Sequence, residues 1–176
     1  MIMYIREIFE PETAFDIEWQ NYYAPDIQSQ AIAYDRQGRI IDITFTVWGK
    51  DVVDIEFYRN RRIGITGEGD AQRMLATVIE AIRVYTTQMY AAPYLLFSSS
   101  EPSRTRAYTA IVRRLATQFG YTPIDKKDLP PGTWSSELDH VVRGARRTFI
   151  LQRASTLQSK EDGSAQARPT SPKRNV

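Results

Sequence analysis

The sequence predicts a mixed α/β domain: a largely antiparallel sheet with helices packed on it. Three observations carry that expectation. Apolar residues alternate with a period of two through Ile41, Ile43, Phe45 and Val47, and again through Val53, Ile55 and Phe57. The period then changes to three and four over Ala71, Met74, Leu75, Val78, Ile79, Ile82, Tyr85 and Met89. A short apolar run, "PYLLFSSS", separates that segment from a second stripe of helical spacing.

Taken in order, Tyr4–Ile8 fits a short opening strand. Residues 11–27 are ambiguous: Phe15, Ile17 and Trp19 alternate, whereas Pro25 and the polar run from Gln20 favour a loop. "SQAIAYDRQGRIIDITFTVWGKDVVDIEFYRN" divides into three antiparallel strands, with "RQGR" and "WGKD" as turns. A helix follows from about Asp70 to Met89, with Asp70 placed to cap its first turn. The second helix begins near Pro102, presents Tyr108, Ile111, Val112, Leu115 and Phe119, and stops at Gly120. "DLPPGTWSSELDHVV" reads as a Gly- and Pro-punctuated loop, and "RTFILQR" closes the domain as a strand.

Composition narrows the class. The 176 residues are 42% hydrophobic, enough for one domain with a sizeable core. No cysteine is present, which excludes disulfides and thiolate metal sites. No run approaches a membrane span, and acidic residues appear too early for a signal peptide, so a cytoplasmic protein is expected. The net charge of +2 belongs to the tail after Arg153; the body is neutral, which argues against nucleic acid as a partner. The domain should span residues 1–153. Residues 154–176, rich in Ser, Pro and charge, should form a disordered tail that cannot offset its ordering entropy. Truncation after Arg153 is therefore expected to leave the melting temperature nearly unchanged; a loss of about ten degrees would show that the tail packs on the body.

The chemistry-bearing stretch is "RRIGITGEGDAQRM", where glycines lead into the first long helix. First-turn N–H groups and the helix dipole suit an anion there, and Gly67 and Gly69 would allow close backbone approach. Glu68 and Asp70 oppose it. A carboxylate within ~5 Å of a diphosphate costs on the order of 1–3 kcal/mol at an effective dielectric of ~20. Either those side chains turn away while Arg59, Arg61 and Arg62 restore positive charge, or "GEGD" is only a capped turn.

The order of elements, "DIEFYRNRRIGITGEGDA", "YLLFSSS" and "SRTRAYTAIVRRLATQFGY" together resemble the GNAT (Gcn5-related N-acetyltransferase) family over about Ser29 to Leu151. "ITGEGDA" and "SRTRAY" also look like segments of small phage-encoded proteins. The GNAT resemblance implies acetyl-CoA as cofactor and no metal. It implies a small-molecule or protein amine as acceptor. It places Arg61, Arg62, Gly64, Gly67, Gly69 and Arg104 at the cofactor. It makes Tyr108 the residue that protonates the departing thiolate, and Glu56, off the apolar face of its strand, the general base. His140, the one histidine, has neither metal nor triad partners in its neighbourhood. The phage likeness implies instead a non-catalytic, virion-associated or host-directed protein that uses the scaffold to bind a protein partner.

Overall fold

The computed structural model describes residues 14–20, 28–49, 51–59 and 70–154. The elements are β1 (Ile17–Gln20), β2 (Gln28–Tyr34), β3 (Ile40–Trp48), β4 (Val52–Arg59), α1 (Ala71–Val84), β5 (Tyr94–Ser99), α2 (Pro102–Gln118), β6 (Tyr121–Ile124), α3 (Ser136–Val141) and β7 (Arg147–Arg153). The strands form one sheet in the order β1-β2-β3-β4-β5-β7-β6. Neighbours are antiparallel except β4 and β5, which run parallel because α1 carries the chain back between them. The mixed, largely antiparallel sheet with packed helices is the expected class.

Alternation dictates which face each strand buries. Ala31, Ile43, Phe45, Val53, Ile55, Leu95, Phe97 and Leu151 join the stripes of α1 and α2 in the main core. The opposite face is covered only in part: Val52, Tyr94, Leu96 and Ile150 pack against Leu138 of α3, with Trp48, Trp134 and Val142 beside them. Over β2, β3 and the outer part of β4 that second face stays half-exposed, with Gln30, Asp42, Thr44, Thr46, Glu56 and Tyr58 on it.

Several expectations change. The ambiguous segment before Asn21 contains a strand, β1, and Phe15 beside it is buried with its N–H on Thr77 Oγ1 at 2.9 Å. The alternation of Phe15, Ile17 and Trp19 was its local signal, and pairing with β2 decided between strand and loop. β6 was not expected; Pro123 is tolerated there because β6 is an edge strand. The "DLPPGTWSSELDHVV" loop contains α3, started by the Ser135 hydroxyl accepting the Leu138 N–H at 3.3 Å. His140 therefore sits on a helix and is exposed. The first long helix ends in a π turn, with Tyr90 N–H reaching Tyr85 O at 2.8 Å. Gly120 stops α2 as expected, at φ 68°, a conformation that favours glycine. The Tyr4–Ile8 strand, the glycine segment 60–69 and the tail beyond Ala154 lie outside the described residues.

Candidate functional site in the gap between β4 and β5

β4 and β5 pair at Val52–Tyr94, Val53–Leu95 and Asp54–Leu96, and the pairing stops there. β4 continues to Arg59 along β3, and β5 to Ser99 along β7, so the sheet opens between them. α2 lies over this gap from the core side and sends two side chains into it. Tyr108, wholly buried, donates its hydroxyl to Ile55 O at 3.2 Å. Arg104, 8% exposed, donates Nη2 to Phe57 O at 3.2 Å. These carbonyls are two residues apart on β4, at the stretch β5 has left. The helix spacing of 104 and 108 puts both side chains on one face of α2, one turn apart.

The Tyr108 ring packs edge-to-face with Phe57 and tilted against Phe97, with centroids 5.4 and 5.2 Å away. The Arg104 guanidinium lies 4.7 Å from the Tyr58 ring centroid and 5.7 Å from that of Tyr108. Tyr58 donates its hydroxyl to Glu56 Oε2 at 3.1 Å. Asp54, Glu56 and Tyr58 alternate onto the second face, so the gap joins a carboxylate pair to an arginine and two phenols.

Electrostatics separate these groups. Burial pushes the Asp54 carboxyl up to about 7, the nearby Glu56 charge adds to the rise, and Arg104 partly offsets it. Among the described residues Asp54 Oδ1 has no hydrogen-bond partner, and neither has Arg104 Nε. Burial likewise raises Tyr108 well above the usual phenol range. That changes the role the family resemblance implies for it. A thiol titrates near ~8.5, so proton transfer from so weak an acid to a thiolate is uphill, and its hydroxyl proton is committed to Ile55 O.

A pH test follows for Asp54. Its folded value lies above the unfolded one of 3.8, so the native state binds the extra proton between about pH 4 and 7. Stability falls as pH rises through that window. Asp54→Asn should remove this slope and raise stability at pH 8 by roughly 1–3 kcal/mol, read from urea midpoints at pH 5 and pH 8. An unchanged slope would mean that Asp54 is an ordinary carboxylate.

The remaining expected site residues divide as follows. Arg61, Arg62, Gly64, Gly67 and Gly69 lie outside the described residues. Glu56 is brought to the gap, half-exposed and bonded to Tyr58. Arg104 is brought there too, but its guanidinium holds the β4 backbone. Asp70 occupies the N-cap position without capping: its side chain accepts none of the first-turn N–H groups. Its carboxylate faces Arg36 Nε at 3.9 Å instead. Asp139, beside His140, is bonded to Lys126 Nζ at 2.6 Å and Trp134 Nε1 at 2.8 Å, which fastens α3 rather than orienting the histidine. Asp54 was not singled out from the sequence; the signal was an acid two residues from Glu56 on the same strand, and only burial distinguishes the two.

Among the described residues no helix is long and apolar enough to cross a membrane. No group of three or more His, Cys, Asp or Glu side chains there could hold a metal ion. No curated protein and no solved structure matches the chain. A family model does, one described as a family of unknown function (DUF6934), over residues 29–122. That match is more than half the chain and runs from β2 into β6, so it takes in both sides of the gap and the helix that fills it. The chain belongs to this family.

Proposed function

We propose that the protein is a GNAT-like, acyl-CoA-dependent N-acyltransferase. The observation that carries the reading is the parting of β4 from β5 just beyond Asp54, a carboxyl poised near neutrality. Acetyl-CoA, when bound, would supply an acyl group activated as a thioester. An amine acceptor must lose a proton to attack, and a buried carboxyl near 7 takes one up more readily than an ordinary carboxylate. Asp54 is the base in this reading, with Glu56 beside it as a second negative charge that favours the ammonium form on approach. Tyr108 fixes the β4 edge and is a positioning residue. The first turn of α1 supports a diphosphate near the glycine segment: no described side chain caps its N–H groups, and Asp70 is directed to Arg36. Arg61, Arg62, Gly64, Gly67 and Gly69 would complete that end.

A second reading has its own observation. Both β4 carbonyls that the gap exposes are already capped, by Tyr108 and Arg104. A closed gap of this kind favours a non-catalytic protein, phage-encoded in the likeness noted above, that binds a protein partner on the same scaffold. Calorimetry of the full chain with coenzyme A and acetyl-CoA tests both. Saturable binding with Kd below about 1 mM supports the enzyme; no heat at millimolar coenzyme A supports the scaffold.

A further inference from the structure

Helix α2 carries four arginines and no acid. No acidic residue occurs from Pro102 to Ile124, nor from His140 to Ala154. These stretches are neighbours in space, because α2 packs on β6 and β7. They join into one acid-free surface on the helix side of the sheet. The neutral sum of the body therefore holds for the whole chain and not for each face.

Arg104 is committed within this surface, buried on Phe57 O. Arg106 and Arg113 are exposed. Helix spacing places both opposite the buried stripe of Tyr108, Ile111 and Leu115, two turns and ~10 Å apart along the axis. Arg147 alternates with Phe149 and Leu151 onto the same side of the sheet, its guanidinium 4.8 Å from the Phe149 ring centroid. Arg143 and Arg146 are exposed in the turn before β7, and Arg146 N–H donates to Ser99 O at 2.8 Å, just ahead of α2. Among the described residues none of these five exposed arginines meets a carboxylate. On α1, by contrast, Arg83 is paired with Glu80 at 2.6 Å. The far side of the sheet has the opposite sign. There β1–β4 place Glu18, Asp42, Asp54 and Glu56, with no base from those strands beside them. A positive helix side and a negative sheet side orient the molecule in the field of a polyanion.

We propose that the α2 side binds the phosphate backbone of nucleic acid, with Arg106 and Arg113 at the centre of the contact and Arg143, Arg146 and Arg147 at its edge. Arginine forks pair with phosphate oxygens in bidentate geometry. The spacing of Arg106 and Arg113 covers about three phosphates on one strand. On the ridge between them stand Thr109 and Ala110, both half-buried. Such a ridge lacks the aromatic or aliphatic anchor that centres a protein interface. Contacts to phosphate carry no base readout, so binding is independent of sequence. This inference rests on neither reading of the gap between β4 and β5.

Fluorescence anisotropy of the full chain with labelled duplexes of about 20 bp, DNA and RNA of one sequence, tests it between about 50 and 200 mM salt. Saturable binding is expected, and whichever duplex binds more tightly identifies the source. Neutralising about four phosphates gives a slope of log K against log salt near −3.6, a weakening of about 150-fold across that range. A second, unrelated sequence should bind equally. The double variant Arg106→Ala, Arg113→Ala should flatten the slope by about 2 and weaken binding about tenfold or more at low salt. Both positions are exposed, so its urea midpoint should stay near that of wild type. Lys127→Ala removes a charge that already faces Asp125 at 3.7 Å and should change neither affinity nor slope. No binding at about 100 μM chain in low salt, or a slope unchanged in the double variant, overturns the proposal. Polyglutamate displacing the duplex at equal charge concentration overturns it in favour of an acidic protein. Salt-sensitive self-association in sedimentation, without duplex binding, overturns it in favour of the acidic face of a second copy.

Discussion

Phe45→Ala is expected to destabilise the protein by about 3–5 kcal/mol. Phe45 is wholly buried at the middle of β3. Its ring stacks on Tyr85 with centroids 4.3 Å apart and lies 5.7 Å from Trp19. Tyr85 stands at the start of the π turn that ends α1, and Trp19 is on β1. The ring therefore joins the first long helix to both the centre and the edge of the sheet. Removing it leaves a cavity that three separate elements would have to collapse together to fill. Phe45→Leu, which keeps most of the volume, should cost less than half as much. Urea unfolding measures both, as a shift of midpoint with the slope unchanged. Equal small losses in the two variants would show that the three rings do not pack as one cluster.

Asp35→Ala should cost a similar amount, about 3–5 kcal/mol, for a different reason. The Asp35 side chain is 1% exposed. Its Oδ2 accepts from Arg39 Nε at 2.7 Å and from Arg59 Nε and Nη2 at 2.9 and 2.6 Å. Its Oδ1 accepts the N–H groups of Gln37 and Arg39, both at 2.9 Å. Alanine would remove the carboxylate that the buried Arg59 guanidinium faces, at the end of β4 where the glycine segment begins. Burial alone would raise the Asp35 carboxyl, but the hydrogen bonds from Arg39 and Gln37, with the charge on Arg39, hold it below its ordinary 3.8. The folded value is the lower one, so its stabilisation is complete above about pH 4 and is lost as pH falls through the folded value. Acid unfolding followed by circular dichroism should therefore begin at lower pH in wild type than a chain with an ordinary carboxylate would allow. The gap in stability between wild type and Asp35→Ala should narrow below about pH 4. A constant gap down to pH 2 would mean that the charge of Asp35 is not what the variant removes.

Asp35 and Asp54 show how far sequence reading reached. Both are acids beside alternating apolar residues, but Asp35 opens a turn whose Gln37 and Arg39 N–H groups lie within reach, whereas Asp54 stands mid-strand two residues from Glu56. One is saturated with donors and held ionised; the other is buried with an oxygen unmet and pushed toward neutrality. Helix spacing likewise identified Tyr108 as a member of the α2 stripe, and the family resemblance gave it a proton to donate. The stripe is correct. The proton is committed to Ile55 O, because the partners of a buried hydroxyl come from whichever backbone lies across from it.

Periodicity in the sequence determined the strands from β2 to β4, the two long helices, β5, β7 and the class of sheet they build, because each needs only local spacing of apolar side chains. The glycine after α2 was also legible, since a left-handed residue at a helix end favours glycine. Tertiary structure alone decided β6 and α3, whose short lengths hold no preference without the neighbours they pack on, and it resolved β1, whose alternation left strand and loop open. It alone decided that β4 and β5 separate beyond Asp54, and that Arg104 and Tyr108 close the space. Those features depend on contacts between residues some fifty positions apart in the chain, and the distance across a gap in a sheet leaves no period in the sequence that lines it.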